Sequence, residues 1–155
     1  MDFLIRALSA KKFHRLMSLS DSQLKRQNIC WKYVDSSPGY PCRVSLQDAL
    51  LGERVLCMPF AHLKAKNFYC ASGPIFVREN AKEQSLNMNE IPTMLRHRQL
   101  SLRAYSSEDL MVMATICEGV ELEGEINKLL CSAAVNYIHI HNAIPGCFNC
   151  AVYRV

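Results

Sequence analysis

The 155-residue chain has no apolar run approaching the roughly 20 residues that a membrane-spanning helix needs, so a helical span is excluded. The opening MDFLIRALSAKKF also lacks the apolar centre of a signal peptide, which makes a cytoplasmic protein without a membrane partner the expectation. Charge of one sign is not in large excess: 18 Lys and Arg against 14 Asp and Glu leave a formal +4. The only basic clusters are Lys11-Lys12, Lys25-Arg26 and Arg96-His97-Arg98. A nucleic-acid footprint is a denser stripe than this, so no nucleic-acid partner is expected. No internal repeat and no Pro/Gly/Ser-rich linker divides the chain. The signatures G-x-x-x-x-G-K-[ST], G-x-G-x-x-G, G-x-S-x-G and H-E-x-x-H are missing, which argues against the common nucleotide-binding and hydrolase classes.

What remains has the composition of a folded domain. Half the residues are hydrophobic and 21% are charged, which excludes disorder and fibrous repeats. The length suits a single domain, residues 1–155, able to bury about 70% of the surface its unfolded chain exposes. The eight cysteines are expected as free, mostly buried thiols, because a domain of this size folds without staples.

Two helix starts are marked near the N-terminus. Leu8 and Phe13 form a hydrophobic staple around Ser9, and Ser20 and Gln23 form a capping box that opens a short helix through about Gln27. Strands are expected over 29–34, 54–58, where apolar residues fall on both parities, and 74–79. Pro92 fits the first turn of a short helix over 91–98. Residues 99–105 alternate, with Leu100, Leu102 and Ala104 on one face, and 110–117 is a hairpin partner. Leu122, Ile126, Leu129 and Leu130 recur at helical spacing over 120–131. Two final strands, 135–142 and 148–155, flank a turn at 143–147. Together these predict an α+β fold: a mainly antiparallel sheet of about six to eight strands with three or four short helices.

The last of these strands but one, YIHIHN, carries the densest chemistry. Its period of two puts Tyr137, His139 and His141 on one face, with the imidazoles about 7 Å apart along the strand. With Cys147 and Cys150 they make a nominal Cys2His2 set, but the order and spacing are poor for a zinc finger, and an extended 148–155 would send the two cysteines to opposite sides. A solvated polar strand face is the expectation for His139. His141 abuts Asn142 and a turn, where scaffolds present working groups. Cys42 and Cys147 each follow a turn containing proline or glycine, and Cys42 adjoins Arg43. A thiol beside an arginine is a candidate nucleophile. Arg43, Arg78 and Arg103 would bind a carboxylate or phosphate if they converged. The Pro145-Gly146 step has a purely structural reading as well, closing a turn with Asn142 bonded to the loop backbone.

The stretches PGYPCRVSLQDA from Pro38, Phe60-Ala61-His62, ASGPIFVRE from Ala71, LSLRAY from Leu100 and IHNAIPGC from Ile140 resemble the small bacterial family known as domain of unknown function twelve-oh-three. The resemblance runs over nearly the whole chain and carries no established activity. It implies a bacterial, cytosolic, single-domain protein, and it maps the family pattern onto Tyr40, Cys42, Arg43, His62, Ser72, Gly73, Arg78, Glu79, Arg103, His141, Asn142, Gly146 and Cys147. His139 and Cys150 stand outside that pattern.

Three functions follow. One is a polar pocket binding a small anionic ligand through Arg43, His62, Ser72, Arg78 and Arg103. Another is a thiol-dependent enzyme with Cys42 or Cys147 as nucleophile, His141 or His62 as base and Asn142 as orienter. The third is metal binding by His62, His141 and a cysteine. No cofactor is indicated by the residues.

Overall fold

Alternation at Gln99–Tyr105 explains how the molecule is layered. In the computed structural model, which describes residues 1–155, this segment is a strand (β5) with Leu100, Leu102 and Ala104 fully buried. They face Leu122, Ile126, Leu129 and Leu130 of the helix Leu122–Leu130 (α4), whose apolar stripe was the clearest helical signal in the sequence. A short 3-10 turn, Gly119–Glu121, leads into α4.

Five antiparallel strands form the larger sheet, in the order Phe3–Arg6 (β1), Phe148–Arg154 (β8), Tyr137–Asn142 (β7), β5 and Met111–Glu118 (β6). The smaller sheet has Cys30–Tyr33 (β2), Arg54–Leu63 (β3) and Ala71–Arg78 (β4), with β3 central and all pairings antiparallel. Short helices at His14–Met17 (α1), Asp21–Lys25 (α2) and Thr93–Arg96 (α3) complete the chain. The α+β reading therefore stands, with eight strands divided between two sheets rather than gathered in one.

Local signals account for several of these elements. The Ser20 box forms, with Gln23 N donating to Ser20 Oγ at 3.3 Å and Ser20 N donating to Gln23 Oε1 at 2.9 Å. Ser9 sits at the start of the 3-10 turn Ala10–Lys12 but makes no side-chain cap. Phe13 and Leu24 instead anchor this N-terminal region in a core cluster with Leu56, Ile75 and Val77 of the smaller sheet.

The face of β7 carrying His139 and His141 departs from expectation. Both imidazoles are buried, at 5% and 0% exposure, because the smaller sheet lies over that face rather than solvent. The His62 ring of β3 lies 5.0 Å from that of His141 and stacks on Phe148 of β8 at 5.5 Å, while Leu63 packs with Tyr105 and Tyr137. Period two fixed which residues share the face; what covers that face is a long-range property that a strand pattern does not contain.

Candidate functional site

Cys147 is positioned by a tight turn at the end of β7. Asn142 N donates to Cys147 O at 2.9 Å and Gly146 N donates to Asn142 O at 3.0 Å. Gly146 completes the turn at φ +75°, a conformation that glycine adopts without a Cβ penalty. Residues 143–147 thereby return the half-buried thiol to the side of Asn142, whose Nδ2 donates to Cys147 Sγ at 3.1 Å. Asn149 Nδ2 in turn donates to Asn142 Oδ1 at 2.8 Å, fixing the amide's orientation. The amide thus bonds the sulfur and Asn149 rather than the loop backbone.

Beneath this turn lies Arg43, fully buried and without a carboxylate partner. Its Nε donates to Phe148 O at 2.7 Å and its Nη1 to Pro41 O at 2.5 Å, while Nη2 has no hydrogen-bond partner. Burial pulls the guanidinium below its ordinary value, and the Cys147 sulfur is foremost among the groups that oppose this, followed by that of Cys42. A buried cation whose nearest answering groups are sulfurs is an unusual arrangement, since buried arginines ordinarily meet carboxylates.

Cys147 and Asn142 open onto a pocket of about 520 Å³ between the two sheets. Its apolar walls come from Pro41, Pro74, Phe76, Ile144 and Pro145, and its other polar groups are His97, Arg98 and Gln99. Arg98 forms a two-pronged ion pair with Asp48, with Nη1 donating at 3.0 Å, and also donates to Met94 O. His97 Nε2 lies 3.1 Å from Asp48 Oδ2 and 2.8 Å from Arg98 Nη1. None of His97, Arg98, Gln99 or Asp48 was singled out as functional from the sequence. The only hint was the small cluster Arg96-His97-Arg98, which reads as surface charge until the fold brings it beside the 143–147 turn.

The residues nominated from the sequence divide into groups. Asn142 and Cys147 meet at the pocket, and Arg43 supports them from below. Cys42 is fully buried, its sulfur accepting from Arg78 N at 3.3 Å and Ser45 N at 3.4 Å, so it has no approach for a substrate. Arg78 is engaged by Glu53 at 2.8 and 2.5 Å and by Gln47 at 3.1 Å. Ser72 is exposed on β4, away from the pocket lining. The arginines do not converge.

His62, His139 and His141 form their own cluster, with ring centroids 5.0 to 6.1 Å apart and Arg103 adding positive charge nearby. His141 Nδ1 lies 2.9 Å from Gly146 O; a carbonyl only accepts, so Nδ1 carries the hydrogen and Nε2 is a bare lone pair without a partner. His62 Nδ1 and His139 Nδ1 are likewise buried and unpartnered. Burial pushes His139 and His141 down to about 3, and also lowers His62. Neutral imidazoles suit metals, yet no group of three or more His, Cys, Asp or Glu is arranged to hold a metal ion. The nominal Cys2His2 set is dispersed: Cys150 lies in the core on the other side of the sheet, its thiol pushed up to about 12 by burial. No helix is long and apolar enough to cross a membrane.

A family model matches residues 39–154, from the loop before Tyr40 to the end of β8. The chain belongs to the DUF1203 family. DUF1203 is described as a family of proteins of unknown function, so membership supplies kinship without a reaction. The match is narrower than the resemblance suggested at the N-terminus, leaving β1, α1, α2 and β2 outside it. Within the DUF1203 region lie Arg43, Asp48, His97, Asn142 and Cys147 together. No curated protein and no solved structure matches the chain.

Proposed function

We propose that this DUF1203 protein binds a small anionic molecule in the pocket beside the 143–147 turn and that Cys147 is the group that reacts with it. The observation that carries this reading is the environment of one sulfur. Cys147 Sγ accepts from Asn142 at 3.1 Å, stands over a buried guanidinium with an unused Nη2, and opens onto a 520 Å³ cavity. Mostly apolar walls with a few convergent polar groups are the usual make-up of a small-molecule site. Charge supplies the preference for anions. Arg98 is balanced by Asp48, which leaves the Arg43 charge answered by no carboxylate. Negative charge gathering at the sulfur or on a bound ligand is stabilised by it.

A pair of alkylating agents tests the anion preference. Iodoacetate carries a carboxylate and iodoacetamide is neutral, so their rate ratio at each cysteine, read by peptide mass, reports the local field. The ratio at Cys147 should exceed that at the exposed Cys30, Cys70 and Cys131, by about tenfold if the field at the site is worth about 1.4 kcal/mol. A ratio at Cys147 equal to theirs would remove the anionic ligand from the account.

A further inference from the structure

His97 and Asp48 belong to no element expected to work with a thiol, yet His97 shares the pocket wall with Cys147. Its Nε2 is occupied by Asp48 and Arg98, which leaves Nδ1 as the ring atom with no protein partner. Asp48 is itself held by the two prongs of Arg98 and by an isolated backbone bridge to Pro41. With Nε2–H directed to Asp48, Nδ1 holds a lone pair; with Nε2 accepting from Arg98, Nδ1 carries the hydrogen. The two partners on one nitrogen thus allow the other to take up or give back a proton. A carboxylate, an imidazole and a thiol in one pocket are the components of a nucleophile assisted by a base. The N–H of Cys147 makes no hydrogen bond to any acceptor in the chain and so is free to donate to an oxyanion.

We infer that this pocket performs acyl transfer to water, with His97 as the general base and Asp48 as its positioning residue; the inference rests on Cys147 being the reactive group. The substrate class is an activated acyl compound, an ester or thioester with a small acyl part that carries a carboxylate or phosphate, the anionic group the Arg43 charge favours. In the first step the Cys147 sulfur, as its anion, attacks the acyl carbon. A C–S bond forms and the C–O or C–S bond to the leaving group breaks, the leaving group departing with the electron pair. In the second step water attacks the acyl-enzyme carbonyl while His97 Nδ1 takes its proton. The C–S bond breaks with its electron pair returning to the sulfur, which is again an anion, the carboxylic acid leaves, and His97 passes its proton to the departed leaving group or to solvent water. No oxidant or cofactor enters the balance.

The probe is p-nitrophenyl acetate, whose phenolate leaves without acid assistance, so His97 is needed only for the water step. Stopped-flow absorbance of the wild-type protein should show a burst of nitrophenolate, of about one per chain, followed by steady release. Cys147→Ser should lose the burst. His97→Gln, at an exposed position where folding is not at stake, should keep the burst and slow the steady phase by about 100-fold or more, the range expected for a lost general base. The retained burst shows an intact pocket, which a merely structural role for His97 would not separate from turnover. A steady phase in His97→Gln within about threefold of wild type, or a wild-type burst with no steady phase, overturns the inference and leaves the Cys147 reading in place. A wild-type protein without a burst, or a burst that survives Cys147→Ser, overturns the reading beneath it.

Discussion

At the scale of single residues, Arg43 decides more than any other side chain. It holds Phe148 O, next to Cys147 in the chain, and Pro41 O, in the pocket wall, and sends its remaining charge toward Cys147. Replacing it by methionine keeps an unbranched side chain but leaves two buried carbonyls without donors. Each such loss costs on the order of 1–3 kcal/mol, offset in part because a buried cation is no longer desolvated. Urea unfolding of Arg43→Met should show a net loss of about 2 kcal/mol. In the same variant Cys147 alkylation should slow while that of Cys30 and Cys70 does not change; an unaltered Cys147 rate would mean the guanidinium does not act on the sulfur. The sequence showed that Arg43 adjoined a thiol. It paired the arginine with Cys42, its neighbour in the chain, whereas the charge acts first on Cys147, brought in by the turn after β7, and only then on Cys42.

At the scale of elements, the pocket depends on how α3, β6 and the 143–147 turn meet. Gly119 is the tightest point of that meeting. It donates its N–H to Arg98 O at 2.8 Å, and a Cβ there would lie 2.0 Å from Leu95 O and 2.7 Å from the carbonyl carbon and oxygen of Arg96. These are backbone atoms and cannot swing aside. Gly119→Ala should therefore cost about 3 kcal/mol or more, the upper end for overpacking. It should also shift His97 and Arg98, which follow directly in the chain. Thermal unfolding measures the first effect, and a stability loss below about 1 kcal/mol would show that α3 moves freely against β6. Elements were read well where a period or a cap defined them, as at Gln99–Tyr105, Leu122–Leu130 and Ser20. The role of Gly119 was invisible, because nothing in the sequence says which backbone passes within 3 Å of it.

At the scale of the whole molecule, two sheets enclose neutral imidazoles. His139 and His141 are held near 3 in the folded state, against an ordinary 6.5, because burial disfavours their charged forms. The folded pKa lies below the unfolded one, so the stabilising contribution is complete above about 6.5 and is lost as pH falls toward 3. Each histidine then contributes a slope of about 1.4 kcal/mol per pH unit inside that window. The urea midpoint should be flat from pH 8 to 7 and fall steadily below 6, and His139→Phe should remove one such contribution, about 1.4 kcal/mol per pH unit, from the slope. A midpoint unchanged down to pH 5 would mean that water or ions reach the cluster. The antiparallel α+β architecture was legible because strand and helix periods are local. The partition into two sheets was not, and with it went the burial of His139 and the separation of His62 and His141 from Cys147. Adjacent residues on a strand face opposite ways, which is why His141 lies in the imidazole cluster while Asn142 lines the pocket.

Cys147 as the reactive thiol of the molecule is the point on which the proposed chemistry depends. Native protein exposed to limiting iodoacetamide at pH 7, quenched over time and mapped by peptide mass, measures this directly for all eight cysteines at once. Cys147 is only half-buried, whereas Cys30, Cys70 and Cys131 are exposed, so access alone predicts that those three react first. The arrangement of Arg43, Asn142 and the pocket predicts the reverse order, with Cys147 modified ahead of the exposed thiols and Cys42 and Cys150 last. Labelling that follows exposure, with Cys147 behind Cys30, Cys70 and Cys131, would contradict it.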